Sequence, residues 1–96
     1  TVKFAAIGDN GTGGRAQYEV GVRMAEAQER FPYDFVIMLG DNMYGRQRPE
    51  DFVTKFERPY KTLLDRGVKL YAALGNHDEQ SNRFYKLWNM NGERYY

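Results

Sequence analysis

Apolar positions along the chain follow two rhythms in alternation. Val2 to Ile7 (VKFAAI) is a short apolar run with branched and aromatic side chains, which predicts a buried strand. Asp34 to Leu39 (DFVIML) and Val68 to Leu74 (VKLYAAL) predict two more, the former apolar on both faces. Between the first two runs, Ala16, Val20, Met24, Ala27 and Phe31 recur at helical spacing, predicting a helix over Arg15–Arg30 that Pro32 ends. Gly21 inside it marks close packing, because glycine costs about 1 kcal/mol against alanine in a helix. Pro49 suits the first position of a second helix, with Glu50 and Asp51 in its positive first turn and Phe52, Phe56, Tyr60 and Leu63 as its apolar face. Pro59 should kink or split that helix, and Gly67 should stop it. Ser81 is placed to cap a third helix carrying Phe84, Leu87 and Trp88. Gly92 closes it, and Glu93 to Tyr96 begins something extended.

The order is β-α-β-α-β-α-β, an α/β pattern that implies a mainly parallel sheet flanked by helices. Ligands in such sheets collect at the carboxyl ends of the strands. The loops after the first three strands should therefore share one face. They read GDNGTGG (Gly8–Gly14), GDNMYGR (Gly40–Arg46) and GNHDE (Gly75–Glu79). Each opens with glycine, where the backbone turns, and then offers polar side chains to the crevice: Asp9, Asp41 with Tyr44, and Asn76, His77 and Asp78. Carboxylates, an amide oxygen and a phenolate are hard ligands for hard or borderline cations. Two carboxylates brought close repel, and a cation between them removes the repulsion. One Gly-Asp alone is a turn or a helix cap, and one His alone is a satisfied polar residue. Three such loops at three strand ends on one face are better explained by a site.

Composition narrows the partners. Among 96 residues, 42% are hydrophobic and 28% charged, as in an ordinary folded chain of a single small domain. A net charge of +1 gives no reason to expect nucleic acid or an anionic membrane as partner, and no apolar run is long enough to span one. Without cysteine there is no thiolate ligand or thiol nucleophile, and with one histidine a multi-histidine metal centre cannot be complete within these residues. Thr1 and Tyr96 both lie in strand-like sequence, so residues 1–96 are expected to be a segment cut from something longer, with a strand or partial strand at each cut.

In these three loops the sequence resembles the calcineurin-like metallophosphoesterases, whose motifs D-x-[HG], G-D-x-x-[YD] and G-N-H-[DE] match GDNG (Gly8–Gly11), GDNMY (Gly40–Tyr44) and GNHD (Gly75–Asp78). Gly11, where many relatives have a metal-binding histidine, and Tyr44 point to the purple, tartrate-resistant type of acid phosphatase. The later motifs V-x-x-H and G-H-x-H are absent, and Asn10 stands where that branch often has tryptophan. The resemblance implies that residues 1–96 are the N-terminal part of a single, incomplete catalytic domain, half of a metallophosphoesterase-type α/β sandwich completed by a C-terminal half of the same domain. It implies two metal ions, ferric iron plus divalent iron, zinc or manganese, that deliver hydroxide to a phosphate monoester. Asp9, Asp41 and Tyr44 would bind the ferric ion. Asp41 would bridge to the second metal, also held by Asn76. His77 would act near the phosphate as a catalytic group, with Asp78 orienting it. Arg46 and Arg48 follow Tyr44 closely and are candidate phosphate contacts, with solvated loop charges as the plain alternative. The branch is often exported, which makes a periplasmic or secreted location the default expectation.

Two other readings compete. Gly11-Thr12-Gly13 with Ala16 matches a permissive dinucleotide-binding fingerprint, but it begins late after the strand and leaves GDNMY and GNHD unexplained. A P-loop fails, because Gly14-Arg15 stands where Lys-Ser/Thr is required. The other rival is a non-catalytic fragment or degenerate scaffold of the same fold.

Overall fold

In the computed structural model, residues 2–92 are described. Three parallel strands, β1 (Phe4–Ile7), β2 (Phe35–Met38) and β3 (Lys69–Ala72), lie in the order β1-β2-β3. The register sets Phe4 opposite Phe35 and Ile7 opposite Met38, then Phe35 opposite Lys69 and Met38 opposite Ala72. The first three expected strands are present, each shorter than its apolar run. The expected strand over Glu93–Tyr96 lies outside the described residues.

Helix α1 (Arg15–Arg30) connects β1 to β2. The helical stretch before β3 is broken into α2 (Pro49–Phe52), a π-turn (Val53–Glu57) and α3 (Lys61–Asp65). Pro59 accounts for the break. It has no N–H to continue the ladder, and just ahead of it the Arg58 N–H reaches back five residues to the Val53 carbonyl at 2.8 Å. Pro49 opens α2 as expected, and Asp51 caps it by accepting from the Arg48 backbone N–H at 3.0 Å.

Two consecutive crossovers stepping in the same direction put both connections on one side of the sheet, since such crossovers are right-handed. The packing agrees. Val36, Met38, Leu70 and Ala72, with Ala5 and Ile7 against them, share one core with Met24 of α1, with Phe52, Phe56, Tyr60 and Leu63, and with Trp88 and Met90. The alternate strand positions turn the other way. There Phe4 stacks on Phe35 at 5.5 Å, and Phe35 meets Tyr71 edge-on at 5.8 Å. This face is half-exposed or open, with Phe4 at 54% accessibility. The helices therefore cover one face of a sheet whose strands are apolar on both.

Two expectations change. Helix α1 turns Gln17, Gly21, Met24 and Ala25 inward, while Val20 and Phe31 are exposed, so only Met24 of the apolar stripe is buried. Close approach and polar pairing decide this face. A Cβ on Gly21 would lie 1.9 Å from the Pro59 carbonyl oxygen, so only glycine fits against the broken helix. The third helix is absent: Gln80–Phe84 and Lys86–Trp88 form two 3₁₀ turns. Phe84 is exposed at 67%, Trp88 is buried, and Asn89 and Asn91 adopt positive φ, which stops helical propagation.

Candidate functional site

The three loops meet at the carboxyl ends of the strands. Backbone bonds carry the sheet order into them: the Leu39 N–H donates to the Ile7 carbonyl (2.7 Å) and the Asp9 N–H to the Gly40 carbonyl (3.1 Å). Asp9 and Asp41 then take the same unusual backbone conformation, each with φ of 51°. At the first loop it is the aspartate itself, rather than the preceding glycine, that makes the left-handed turn. A non-glycine residue there costs of order 1 kcal/mol, less for Asp than for bulkier residues. Two equivalent strained carboxylates at adjacent strand ends are an observation that points toward function.

Tyr44 stands between them. Its hydroxyl lies 3.2 Å from Asp9 Oδ1 and 3.5 Å from Asp41 Oδ2. Burial, and then the charges of Asp9 and Asp41, push the phenol up to about 12. Asp41 Oδ1 also accepts the His77 backbone N–H at 2.8 Å. The Asn76 amide lies against the same carboxylate; with its nitrogen turned inward it donates to both Asp41 oxygens, at 3.1 and 3.2 Å. The His77 ring sits 4.7 Å, centroid to centroid, from the Tyr44 ring. Asp9, Asp41, Tyr44, Asn76 and His77 therefore gather at one place.

The remaining candidates take other positions. Asp78 is buried, and its carboxylate accepts the N–H groups of Asn42 (3.0 Å), Met43 (2.9 Å) and Gly75 (2.9 Å). Its contacts tie the third loop to the second through backbone, in place of the expected orientation of the His77 ring. Arg48 binds Asp51 through its guanidinium (2.9 Å) and contacts Glu50 (3.3 Å), at the start of α2. Arg46 is exposed, and its carbonyl accepts from Lys55 Nζ at 2.7 Å.

Several supporting residues carry no signal in the loop motifs. Gln17 accepts the Gly13 N–H (2.8 Å) and donates to the Lys55 carbonyl (2.6 Å) and the Tyr60 hydroxyl (3.2 Å). Asn10 donates to the same hydroxyl at 2.8 Å. Lys55 Nζ also donates to the Tyr44 carbonyl, so the second loop leans on the helical stretch beneath it. Gln47 bonds to both the second and third loops. The available clue was Gln17 itself, a polar residue beside an apolar stripe, with an amide suited to satisfying backbone groups.

The donor set suits cations. It consists of two carboxylates, a phenol held between them and an amide able to turn its oxygen toward Asp41. A cation would offset the charge that holds the Tyr44 proton in place. Among the described residues, no group of three or more His, Cys, Asp or Glu side chains is placed to hold a metal ion. Tyr and Asn would therefore have to contribute alongside the two aspartates. A histidine at position 11 has no room: a Cβ on Gly11 would lie 1.7 Å from the Asn42 carbonyl oxygen.

Parallel strands end in these three aspartate- and asparagine-bearing loops, and the chain belongs to the calcineurin-like phosphoesterase family, whose model matches residues 2–96. It is similar to tartrate-resistant acid phosphatase type 5 of Mus musculus, at 33% identity over 85% of this chain and 28% of the relative. The Homo sapiens protein of the same name is 34% identical over 84% of this chain and 28% of the relative. Purple acid phosphatase 7 of Arabidopsis thaliana is 37% identical over 85% of this chain and 26% of the relative. The chain thus spans little more than a quarter of the length of these relatives. Among the described residues, no helix is long and apolar enough to cross a membrane.

Proposed function

We propose that these residues form the N-terminal part of a metal-dependent phosphomonoester hydrolase site of the acid phosphatase type. The observation that carries this reading is the Tyr44 hydroxyl between the carboxylates of Asp9 and Asp41, both in left-handed backbone at adjacent strand ends. Asp9, Asp41 and Tyr44 would hold a ferric ion, and Asp41 with Asn76 a divalent iron, zinc or manganese ion. When bound, such a pair of ions activates water near neutral or acidic pH and neutralises phosphate oxygens. The chain's own residues arrange the rest. Asp41 fixes the His77 backbone, and that fixes where the imidazole enters the phosphate space. There His77 would donate a proton or a hydrogen bond to the departing alcohol oxygen. Arg46, exposed beside Tyr44, remains the candidate for a peripheral phosphate oxygen. Imidazole ligands from outside these residues, on a C-terminal half of the domain, would complete both coordination spheres.

A second reading, a non-catalytic scaffold, is favoured by one observation: the described residues offer no acidic or histidine cluster sufficient for a metal on its own. Hydrolysis of p-nitrophenyl phosphate separates the two. The native protein carrying this sequence should turn over substrate with added iron, zinc or manganese and be inhibited by vanadate. Asp41→Asn should lower turnover by at least about 100-fold. Residues 1–96 alone should show no useful rate. A folded native protein without metal-dependent hydrolysis would favour the scaffold. Robust turnover by residues 1–96 alone would overturn the ligand assignment.

A further inference from the structure

The second and third loops are held together by two side chains working in opposite directions. From the third loop, Asp78 accepts the backbone N–H groups of Asn42 and Met43 in the second. From just past the end of the second loop, Gln47 reaches the third. Its Nε2 donates to the His77 carbonyl and lies 3.3 Å from the Met43 carbonyl and 3.5 Å from that of Gly45. Its Oε1 accepts the Glu79 N–H at 2.7 Å and the Asn82 amide. One carboxamide therefore grips the backbone on either side of Asp78. Only a primary amide presents donors and an acceptor at the same reach. The His77 backbone is consequently pinned at both ends, its N–H by Asp41 (2.8 Å) and its C=O by Gln47.

We propose that Gln47 is a positioning residue for His77, setting the entry point of the imidazole into the site; the catalytic consequence rests on the hydrolase reading above. The peptide plane after His77 has its Asp78 N–H on the Gly75 carbonyl at 3.2 Å, within the third loop itself. The Gln47 amide holds the carbonyl edge of that plane from outside the third loop and couples the His77 backbone to the loop that carries Tyr44. Loss of this bond releases the ring without touching any of the four residues assigned to the metals. A displacement of about 1 Å in a reacting group costs up to roughly 100-fold in rate.

The test uses Gln47→Ala and Gln47→Glu in the native protein. Glutamate keeps the acceptor for Glu79 and Asn82 and the volume of the side chain, but sets a carboxylate oxygen against the carbonyls of His77 and Met43. Both variants should lower kcat for p-nitrophenyl phosphate by about 10- to 100-fold, with KM within roughly twofold and metal content unchanged. In a His77→Ala background, Gln47→Ala should cost nothing further. With histidine labelled in the ring, the resonance lost in His77→Ala should be single in the native protein and broadened or split in both Gln47 variants. Native kcat with an unchanged ring resonance would overturn the proposal. So would a loss from Gln47→Ala that persists in full without His77. If the native protein hydrolyses nothing, the hydrolase reading fails, and the ring resonance still decides whether Gln47 positions His77.

Discussion

The Tyr44 hydroxyl lies 3.2 Å from Asp9 Oδ1 and joins residues 35 positions apart in sequence. The bond exists because β1 and β2 end side by side and both loops turn inward through left-handed aspartates. It also holds the phenol proton against ionisation, since the neighbouring charges oppose a phenolate.

Tyr44 should therefore titrate late without metal and early with it. In metal-free protein, the difference in tyrosinate absorbance between native and Tyr44→Phe should rise only toward pH 12, because the raised value keeps the neutral form dominant below that pH. Loading the native protein with ferric iron should bring that ionisation below neutral pH and produce a visible charge-transfer band. Tyr44→Phe should lack the band, while Asp41 remains able to bind. A band unchanged by the substitution would remove Tyr44 from the ligand set.

The strained aspartates predict a conflict between stability and metal binding. Asp9 is exposed and pays for its φ of 51° without burying anything in return. Asp9→Gly removes the strain and one of the two neighbouring carboxylates, at the cost of the Tyr44 contact and some unfolded-chain entropy. In chelator, the variant should be as stable as the native chain or more so, by up to about 1 kcal/mol. Its affinity for iron should fall. Denaturant melts and metal titrations measure the two effects separately. A destabilised variant with unchanged affinity would show that Asp9 serves the fold.

Much of this architecture was readable in the residues, because strand ends and turn chemistry are local. Arg15–Arg30 was recovered at both ends, and Pro59 divided the second helix as its missing donor requires. What was misread depended on partners distant in sequence. Gln17 is inward because the Lys55 carbonyl and the Tyr60 hydroxyl await its amide, which no spacing rule shows. Ser81 begins no helix, because Trp88 is drawn onto the core and asparagines at 89 and 91 favour left-handed backbone. The loop motifs singled out Asp9, Asp41, Tyr44, Asn76 and His77, side chains that lie close together at the strand ends. They could not reveal that Arg48 is taken by Asp51, or that Asp78 serves backbone N–H groups.

The Arg48–Asp51 pair makes a prediction about acid. Hydrogen bonds from the Arg48 side chain and backbone hold the Asp51 carboxyl at about 2, below the ordinary value of 3.8. A carboxylate with a depressed value stabilises the fold above its unfolded value and loses that contribution as pH falls through the folded one. The native chain should therefore lose stability between about pH 4 and pH 2 more steeply than Asp51→Asn. Thermal midpoints across that window test it. Parallel curves would mean that Asp51 is no stronger in the fold than in the unfolded chain.

Asp78 should prove costly to replace. It is 7% exposed, and its two oxygens receive three backbone N–H groups, from Asn42, Met43 and Gly75. Bonds to a charged acceptor are worth about 1.5–3 kcal/mol each when intact, and a buried donor left without a partner carries a further penalty. Asp78→Asn keeps the shape but exchanges one acceptor oxygen for an NH₂ group, so at least one of the three donors faces another donor. The substitution should destabilise the chain by about 2–4 kcal/mol, with amide exchange fastest to rise at Asn42, Met43 and Gly75. Were Asp78 serving only the His77 imidazole, Asp78→Asn would leave those three amides protected and the unfolding midpoint close to native. That result would return Asp78 to the role of orienting the ring.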